Sequence, residues 1–383
     1  MSQAEFSCVS SMLNSWRPAE PVYCIYPEVY RENTQRFING FPGRVLYAVK
    51  ANDEPAIIRQ LADAGICHFD CASLPEIAGV KASCPEGSCY FMIPTRIRGA
   101  ARVAQGQYGV RHFLVDHEDG LAILKDEVDL GGSVVFARMA VHHSSAAQDL
   151  SSKFGAPPAH MPSLLACIRA SGAEPALAFN VGSSVKDPQA YGYGIGIAAE
   201  VIRQLPFSIR LVDIGGGFPK SYPNYTVPAL EAYFETIRET VSSLPLAANA
   251  EILCEPGRAL AAPGLSAVVE VLLRKDDRLY INDGMFGVFW ELRYDEHDQY
   301  PVRVYRDGKE LEGEDRSYSL YGPTCDGADK LPGKLHLPAD IGTGDYLEFG
   351  ELGAYSLGGR TRFNGYFSDT IVRITGDNAS MPG

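Results

Sequence analysis

The sequence predicts an α/β protein: a barrel of strand–helix units followed by an all-β domain. Between residues 44 and 255, short apolar runs rich in β-branched and aromatic residues alternate with longer stretches of helical period. After Pro263, strand-like segments follow one another and are separated by turns. Helical crossovers between parallel strands explain the first pattern, and a separate sheet explains the second. We therefore predict one larger and one smaller domain.

The first region contains eight candidate strands, each followed by a helical stretch or a loop. In chain order they are RVLYAV, CHFD, CYFMI, HFLV, SVVFAR, PALAFNV, IRLVDI and EILCE. Eight such units are typical of a (β/α)8 barrel, which places its chemistry at the C-terminal ends of the strands. We place this barrel at residues 34–262.

The β-rich domain is predicted to combine residues 1–33 with residues 263–383. Its strand-like segments are LSAVVEVLLRK, DRLYIND, YPVRVYRDG, SYSLYG, DYLEFG and DTIVRITG. The early segment PVYCIY is also strand-like, but it precedes the helix that leads into the barrel. We expect this segment to pair with the C-terminal domain.

Composition disfavours several classes of partner. The chain has 34 Lys and Arg against 47 Asp and Glu, a formal charge of −13, so it offers no basic footprint for nucleic acid or anionic membranes. A signal peptide and an apolar run of membrane length are both missing from the pattern. Nine irregularly spaced cysteines favour reduced thiols, and the histidines lack metal-site spacing. We expect a cytoplasmic protein without a metal centre.

Two barrel strands end in residues suited to chemistry. Lys50 follows the apolar run Val45–Val49, where burial favours a nucleophilic amine; a strand-end lysine that reaches solvent is the alternative. Gly215, Gly216 and Gly217 follow IRLVDI and would let backbone N–H groups approach an anion, although a tight turn explains them equally well. The nucleotide fingerprints GxGxxG and GxxxxGK are not matched.

Two further segments combine carboxylates with other reactive groups. Glu255 ends the last barrel strand in CEPGR, where its carboxylate could bond a cofactor ring nitrogen while Gly257 and Arg258 contact an anion; an internal Glu–Arg pair is the alternative. The loop at 321–330, YGPTCDGADK, contains a thiol at Cys325 and two carboxylates. It could supply an acid and bind an ammonium group, or it could be a turn with a buried cysteine.

Together these motifs resemble the fold-type III pyridoxal-phosphate enzymes, and within them the ornithine and lysine decarboxylases. The matching stretches are YAVKAN at 47–52, FDCASLPE at 69–76, VDIGGGFP at 212–219, CEPGR at 254–258, YD at 294–295, YGPTCDGADK at 321–330, GAYS at 353–356 and FNGY at 363–366. They cover the chain from about residue 20 to residue 375, in the family's order. The resemblance implies an alanine-racemase-like barrel with a C-terminal β domain, and pyridoxal 5'-phosphate as cofactor.

The resemblance also assigns roles to individual residues. Lys50 would carry the cofactor as an imine, Cys325 would reprotonate the substrate carbon, and Asp295 and Asp326 would bind the substrate's distal ammonium. The cofactor surround would consist of Asp70, Glu76, Arg138, Asn180, Ser183, Gly215, Gly216, Gly217, Glu255, Gly257, Arg258 and Tyr355. Asn180 is a departure, because the family usually has a histidine there that stacks on the cofactor ring.

The implied activity is decarboxylation of a basic amino acid, with ornithine first and lysine second. The two substrates differ by one methylene, worth only about 1–3 kcal/mol in a pocket, so the sequence does not separate them. The resemblance further implies a homodimer whose active sites are shared, with Lys153 and Asp329 paired across the interface. A catalytically inactive relative that works as a binding protein is the alternative of another class.

Overall fold

The computed structural model describes residues 4–294 and 299–376. In these ranges the strands are β1 (Glu5–Phe6), β2 (Val22–Ile25), β3 (Arg44–Ala48), β4 (His68–Cys71), β5 (Ser88–Phe91), β6 (His112–Val115), β7 (Val134–Met139), β8 (Glu174–Phe179), β9 (Leu211–Asp213), β10 (Glu251–Cys254), β11 (Leu265–Lys275), β12 (Arg278–Ile281), β13 (Val302–Arg306), β14 (Lys309–Glu310), β15 (Asp315–Tyr321), β16 (Leu335–Pro338), β17 (Tyr346–Phe349) and β18 (Ile371–Ile374). The α-helices are α1 (Val9–Ser15), α2 (Pro27–Gly40), α3 (Pro55–Asp63), α4 (Leu74–Ser83), α5 (Ala100–Tyr108), α6 (Glu118–Glu127), α7 (Met161–Ala170), α8 (Gln189–Arg203), α9 (Leu230–Val241) and α10 (Arg258–Ala261). Of these helices, none has the length and apolarity that a membrane crossing requires.

Strands β3 to β10 close into a parallel barrel in the order β10-β3-β4-β5-β6-β7-β8-β9. All eight predicted barrel strands are present, and the predicted fold class is confirmed. Large apolar side chains from these strands meet in one buried cluster, which includes Leu46, Tyr90, Leu114, Phe136 and Leu253. The barrel therefore has a packed interior, and the C-terminal ends of its strands form what is here called the barrel mouth.

Several barrel strands are shorter than the sequence predicted, and for two of them the local reason is clear. β5 ends at Phe91 rather than Ile93, because Pro94 cannot donate to a ladder and disfavours continuation. β9 ends at Asp213, because Gly215 and Gly217 take positive φ angles of 73° and 93° that turn the chain away from the strand.

The chain divides into two compact units, here called the barrel unit and the sheet unit. The barrel unit comprises Thr34–Lys220 and Val227–Leu260, and the sheet unit comprises the described parts of Met1–Asn33, Ser221–Thr226 and Ala261–Gly383. The predicted barrel range of 34–262 thus includes a short segment that belongs with the sheet. The ring of Tyr222 in this segment packs edge-on against Tyr300, with centroids 5.7 Å apart.

The sheet unit is built on a mixed sheet in the order β1-β18-β2-β11-β12-β15-β16, and β17 joins β11 to β13. β2, the strand formed by the early segment PVYCIY, pairs antiparallel with β11 and parallel with β18. Helix α1 buries Val9, Met12 and Leu13 against side chains of β2, β11 and β18. The first strand-like segment therefore belongs to the sheet that the last segments of the chain complete.

Candidate active site

Lys50 lies just past the C-terminal end of β3, on the 3-10 turn Val49–Ala51. The register of β3 and β4 places Ala48 beside Asp70, at the same mouth of the barrel. Lys50 Nζ is 3.6 Å from Asp70 Oδ2, and the lysine side chain is 46% exposed while the aspartate side chain is 3% exposed. The amine is thus held by a buried carboxylate and remains open to a ligand from solution.

Asp70 and Glu76 form the acidic wall beside this lysine. Burial raises the pKa of Asp70, and the charges of Lys50 and Arg138 oppose the rise. Glu76 lies in the first turn of α4, where its Oε2 accepts the N–H of Ala72 at 2.7 Å in a capping arrangement. Burial raises the pKa of Glu76 to about 7, and the Asp70 charge acts in the same direction.

Glu255 directly follows β10, and its N–H donates to Gly215 O at 2.9 Å. Burial raises the pKa of Glu255 well above its usual value, and the neighbouring carboxylates add to this rise. The carboxyl lies among the charged groups of the barrel mouth, namely Asp213, Asp70, Lys50 and Arg138. The alternative, an internal pair between Glu255 and Arg258, stays a prediction.

Asp213 belongs to this group, although the sequence analysis did not single it out. It ends β9 with no solvent exposure, and its Oδ1 accepts the N–H of Gly215 at 2.8 Å. The available signal was an aspartate at a barrel strand end directly before a glycine run. The sequence does not reveal that Glu255 is its neighbour, because that depends on the register of β9 and β10.

The glycine run is required by close packing. A Cβ at Gly215, Gly216 or Gly217 would lie 2.5 Å from a backbone oxygen of Phe179, Glu255 or Gly182, respectively. Real Cβ atoms do not approach that closely, so only glycine fits at the three positions. The loop therefore stays without side chains, which suits an anion held by backbone N–H groups.

Asn180 follows β8 and is 8% exposed. Its Oδ1 accepts the N–H of Gly182 at 2.9 Å, and its Nδ2 faces Gly215, where a Cβ would lie 2.9 Å away. Ser183 lies slightly further along and pairs with the loop after β7, because its N–H donates to Gln148 O at 3.0 Å. The structure therefore brings Asn180 and Ser183 to the strand end beside the glycine run.

The remaining predicted barrel residues lie at the same ends of strands β7 and β10. Arg138 occupies the second-last position of β7, and its guanidinium lies 5.7 Å from the centroid of the Phe154 ring. Gly257 directly precedes α10, which begins at Arg258. Pro256 O accepts the N–H of Ala48 at 3.1 Å, which ties the CEPGR segment to β3.

In the sheet unit, Cys325 and Asp326 are exposed in the loop between β15 and β16. Asp329 closes this loop from within: it is 3% exposed, and its carboxylate accepts the N–H groups of Met285 at 2.8 Å and Thr324 at 3.0 Å. The predicted alternative, a turn with a buried cysteine, is wrong, since the Cys325 side chain is exposed.

Tyr355 and Asp295 complete the predicted set. Tyr355 lies in the turn after β17, partly buried, with a positive φ of 51°. Non-glycine residues adopt this conformation only where the surroundings hold them in it. Asp295 lies outside the described residues, and its predicted contact with a substrate stays a prediction.

The barrel residues suit pyridoxal 5'-phosphate. The cofactor needs a primary amine for its aldehyde, a carboxylate for its ring nitrogen and backbone donors for its phosphate. Lys50, Glu255 and the side-chain-free loop Gly215–Gly217 provide these three features at one end of one barrel. The collision that a Cβ would cause at each glycine keeps this loop bare.

Comparison with known proteins points to the same cofactor. Residues 28–262 match the family model "pyridoxal-dependent decarboxylase, pyridoxal binding domain". Over 381 residues the chain is 32% identical to decarboxylase flvG of Aspergillus flavus, covering 94% of this chain and 87% of the relative. It is 31% identical to the lysine/ornithine decarboxylase of Selenomonas ruminantium, covering 86% and 83%. It is also 30% identical to antizyme inhibitor 2 of Xenopus laevis, covering 86% and 76%.

Solved structures give the same likeness in three dimensions. The lysine/ornithine decarboxylase of Vibrio vulnificus, crystallised with putrescine, superposes with a TM-score of 0.79 at 26% identity. The match covers 92% of this chain and 94% of that chain. The likeness extends over both units of the chain.

Proposed function

Because the chain belongs to the family of pyridoxal-dependent decarboxylases of basic amino acids, we propose that it converts L-ornithine to putrescine, with L-lysine as the second candidate substrate. Its cofactor is pyridoxal 5'-phosphate. The proposal rests on the surroundings of the Lys50 amine. This amine lies 3.6 Å from the buried Asp70 carboxylate and interacts electrostatically with Glu255. A reactive amine beside these two carboxyls is the arrangement that cofactor attachment and carbanion stabilisation require.

The chain's own residues have distinct tasks in this reaction. When bound, the cofactor supplies a carbonyl for the substrate amine and a ring that accepts the electron pair left by loss of CO2. Lys50 binds the cofactor and yields it to the substrate, and Asp70 keeps the lysine head group in place. Glu255 holds a proton at the ring nitrogen, and the Gly215–Gly217 loop binds the phosphate. Cys325 delivers the proton to the substrate's α-carbon.

The proposed substrate class follows from the charge of the loop that carries Asp326. An aliphatic ammonium in a partly closed site needs a carboxylate partner, and Asp326 and Asp295 are the motif-matched candidates. The relatives support this class, since two of them are named lysine/ornithine decarboxylases. Ornithine and lysine differ by one methylene group, whose contacts in a pocket contribute about 1–3 kcal/mol, so the order of preference needs measurement.

We further propose that the active sites are shared within a homodimer. Cys325 and Asp326 are exposed on their own subunit, and so are the nearby aromatic residues Phe363 (39%) and Tyr366 (49%). The Cys325 N–H donates to Asn364 Oδ1 at 3.1 Å, so the thiol loop and this aromatic segment form one surface. Exposed aromatic side chains around reactive groups are expected of a surface that a second copy covers.

The test of the activity is CO2 release by the purified protein on ornithine, lysine, arginine and diaminopimelate. Borohydride reduction followed by peptide mapping is expected to fix the cofactor on Lys50. Lys50→Ala should abolish CO2 release, whereas Lys125→Ala, at an exposed lysine of α6, should leave it unchanged. A protein that carries the cofactor on Lys50 yet decarboxylates none of the four would instead support a binding role like that of the antizyme inhibitor.

The test of the shared site is complementation between two inactive variants. Lys50→Ala and Cys325→Ala proteins are mixed after subunit exchange has been demonstrated. Half of the dimers are then mixed and each has one intact site of two, so about a quarter of wild-type activity should return. No recovery would show that each chain is self-sufficient.

A further inference from the structure

Asp213 is a fully buried carboxyl to which the proposed chemistry gives no task. It is aligned with Leu253 of β10, two residues before Glu255. Side chains two positions apart along a strand direction point to the same side, so Asp213 and Glu255 share the barrel interior. The side chain that Asp213 faces is the Glu255 carboxyl.

The two oxygens of Asp213 have different surroundings. Oδ1 accepts the N–H of Gly215 at 2.8 Å. Oδ2 is shielded from solvent, and within residues 4–294 and 299–376 no N–H or O–H group donates to it. A buried carboxylate oxygen without a donor is unfavourable, and a proton on the facing Glu255 carboxyl supplies the missing donor.

The charges at the barrel mouth lead to the same conclusion. Three carboxyls, Asp70, Asp213 and Glu255, face the two cations Lys50 and Arg138. With all three carboxyls ionised, these five side chains would carry one negative charge in excess, and one retained proton removes that excess. Three further titratable side chains interact with this group: Glu76 with Asp70 and Lys50, and Tyr90 and Cys254 with Asp213.

We propose that Asp213 is a positioning residue that keeps one proton shared between its carboxyl and that of Glu255 before the cofactor binds. The inference rests on the proposed function, in which Glu255 meets the ring nitrogen of the cofactor. This pair would hold a proton where Glu255 would meet the ring nitrogen, and the bound cofactor would take the place of Asp213 as the partner of that proton.

The sign of the pH dependence follows from the environment. Burial raises the pKa of both carboxyls, and the Asp213 charge adds to the rise at Glu255. A raised pKa means that the folded protein keeps the proton near neutral pH and loses it as the pH rises through that value. Binding of the cofactor near neutral pH then needs no ring proton from solvent.

The experiment is calorimetry of pyridoxal 5'-phosphate binding to the apoprotein in two buffers of different ionisation enthalpy. Asp213→Asn preserves the acceptor for Gly215, but its amide N–H donates to Glu255 and favours the ionised carboxylate. On binding the cofactor, the variant should take up about one proton more per site than the wild type. Its Kd should rise with pH, by up to about tenfold per pH unit, over the range in which the wild-type Kd does not change with pH. Equal proton uptake by the two proteins would overturn the proposal.

A matched control is Asp116→Asn. Asp116 directly follows β6, and its Oδ2 accepts the N–H of a glycine, Gly155, at 2.9 Å. Asp116→Asn removes the same charge at the same end of the barrel. On binding the cofactor, this variant should take up as many protons as the wild type does. A proton uptake as large as that of Asp213→Asn would overturn a specific role for Asp213.

Infrared difference spectroscopy of the wild type keeps the proposal testable if Asp213→Asn does not fold. The apoprotein should show the carbonyl band of a protonated buried carboxyl, and this band should disappear when the cofactor binds. Persistence of the band would overturn the proposal. Failure of the wild type to bind the cofactor on Lys50 would instead contradict the proposed function, which separates the two failures.

Discussion

Asp329 is expected to hold the loop that carries Cys325 and Asp326. Its carboxylate is nearly inaccessible and accepts two backbone N–H groups, those of Met285 and Thr324. Asp329→Ala leaves both donors without their acceptor. Each hydrogen bond to a charged group contributes about 1.5–3 kcal/mol, and relief of the carboxylate's burial offsets part of the loss, so the free energy of unfolding should fall by about 2–4 kcal/mol.

The measurement is urea unfolding of Asp329→Ala, of Asp329→Asn and of a control, together with kcat/KM. The asparagine variant keeps one acceptor oxygen, so it should lose about half as much stability as the alanine variant. Asp340→Asn is the control, because its side chain is 61% exposed and pairs with Arg306 at 3.1 Å. Loss of an exposed pair should change the free energy of unfolding by at most about 1 kcal/mol.

A different role for Asp329 would refute this reasoning. The family resemblance pairs it with Lys153 of a second copy, and Lys153 Nζ lies 5.0 Å from the Phe154 ring centroid in its own chain. If Asp329 acts within its own loop, the effects of Asp329→Ala and Lys153→Ala add at fixed protein concentration. A coupling free energy above about 1 kcal/mol between the two substitutions would show that the interface pair, not the loop, is what the carboxylate stabilises.

Three further outcomes are expected. Asn180→His should change kcat with little change in KM if this position contacts the cofactor ring, and unchanged kinetics with an unshifted cofactor absorbance would contradict the placement. Asp326→Asn should lower kcat/KM on ornithine and lysine by about a hundredfold or more, but not on uncharged norleucine; an equal loss on all three would exclude a salt bridge. Gly217→Ala should weaken cofactor binding at least about tenfold in an absorbance titration, because a Cβ there meets Gly182 O. Gly132→Ala, with a similar positive φ of 74° but no neighbour within 4 Å, should bind the cofactor normally.

The barrel was predictable because each strand has its own local signal. A run such as HFLV is apolar, short and followed by a helical segment, and the structure has its strand at His112–Val115. Strand ends were less predictable, because they depend on single residues such as Pro94 and Gly215 that interrupt the ladder. The position of Lys50 followed from the strand pattern, whereas the 3-10 turn that bears it did not.

Local sequence patterns do not predict the buried polar groups of the sheet unit. Glu348 has no solvent exposure in the middle of β17, and its carboxylate accepts hydrogen bonds from Tyr305 and Ser266, each at 2.8 Å, and from Tyr26. These donors come from three other segments, up to 322 positions away in sequence. In the sequence Glu348 reads as an ordinary polar residue of DYLEFG, because its partners meet only once the sheet has formed.

Asn180, where the resemblance implies a histidine, and Asp213 hold the glycine segments in the same way. Each ends or follows a neighbouring barrel strand, and each side-chain oxygen accepts the N–H two residues ahead, from Gly182 at 2.9 Å and from Gly215 at 2.8 Å. Two such Asx turns side by side fix the glycine segments that must stay free of side chains. Asparagine supplies no aromatic face for a cofactor ring, but it contributes an acceptor to its own turn and an amide facing the neighbouring one. We therefore propose that asparagine at this position exchanges ring stacking for loop rigidity, and kcat and cofactor affinity should respond to Asn180→His in opposite directions.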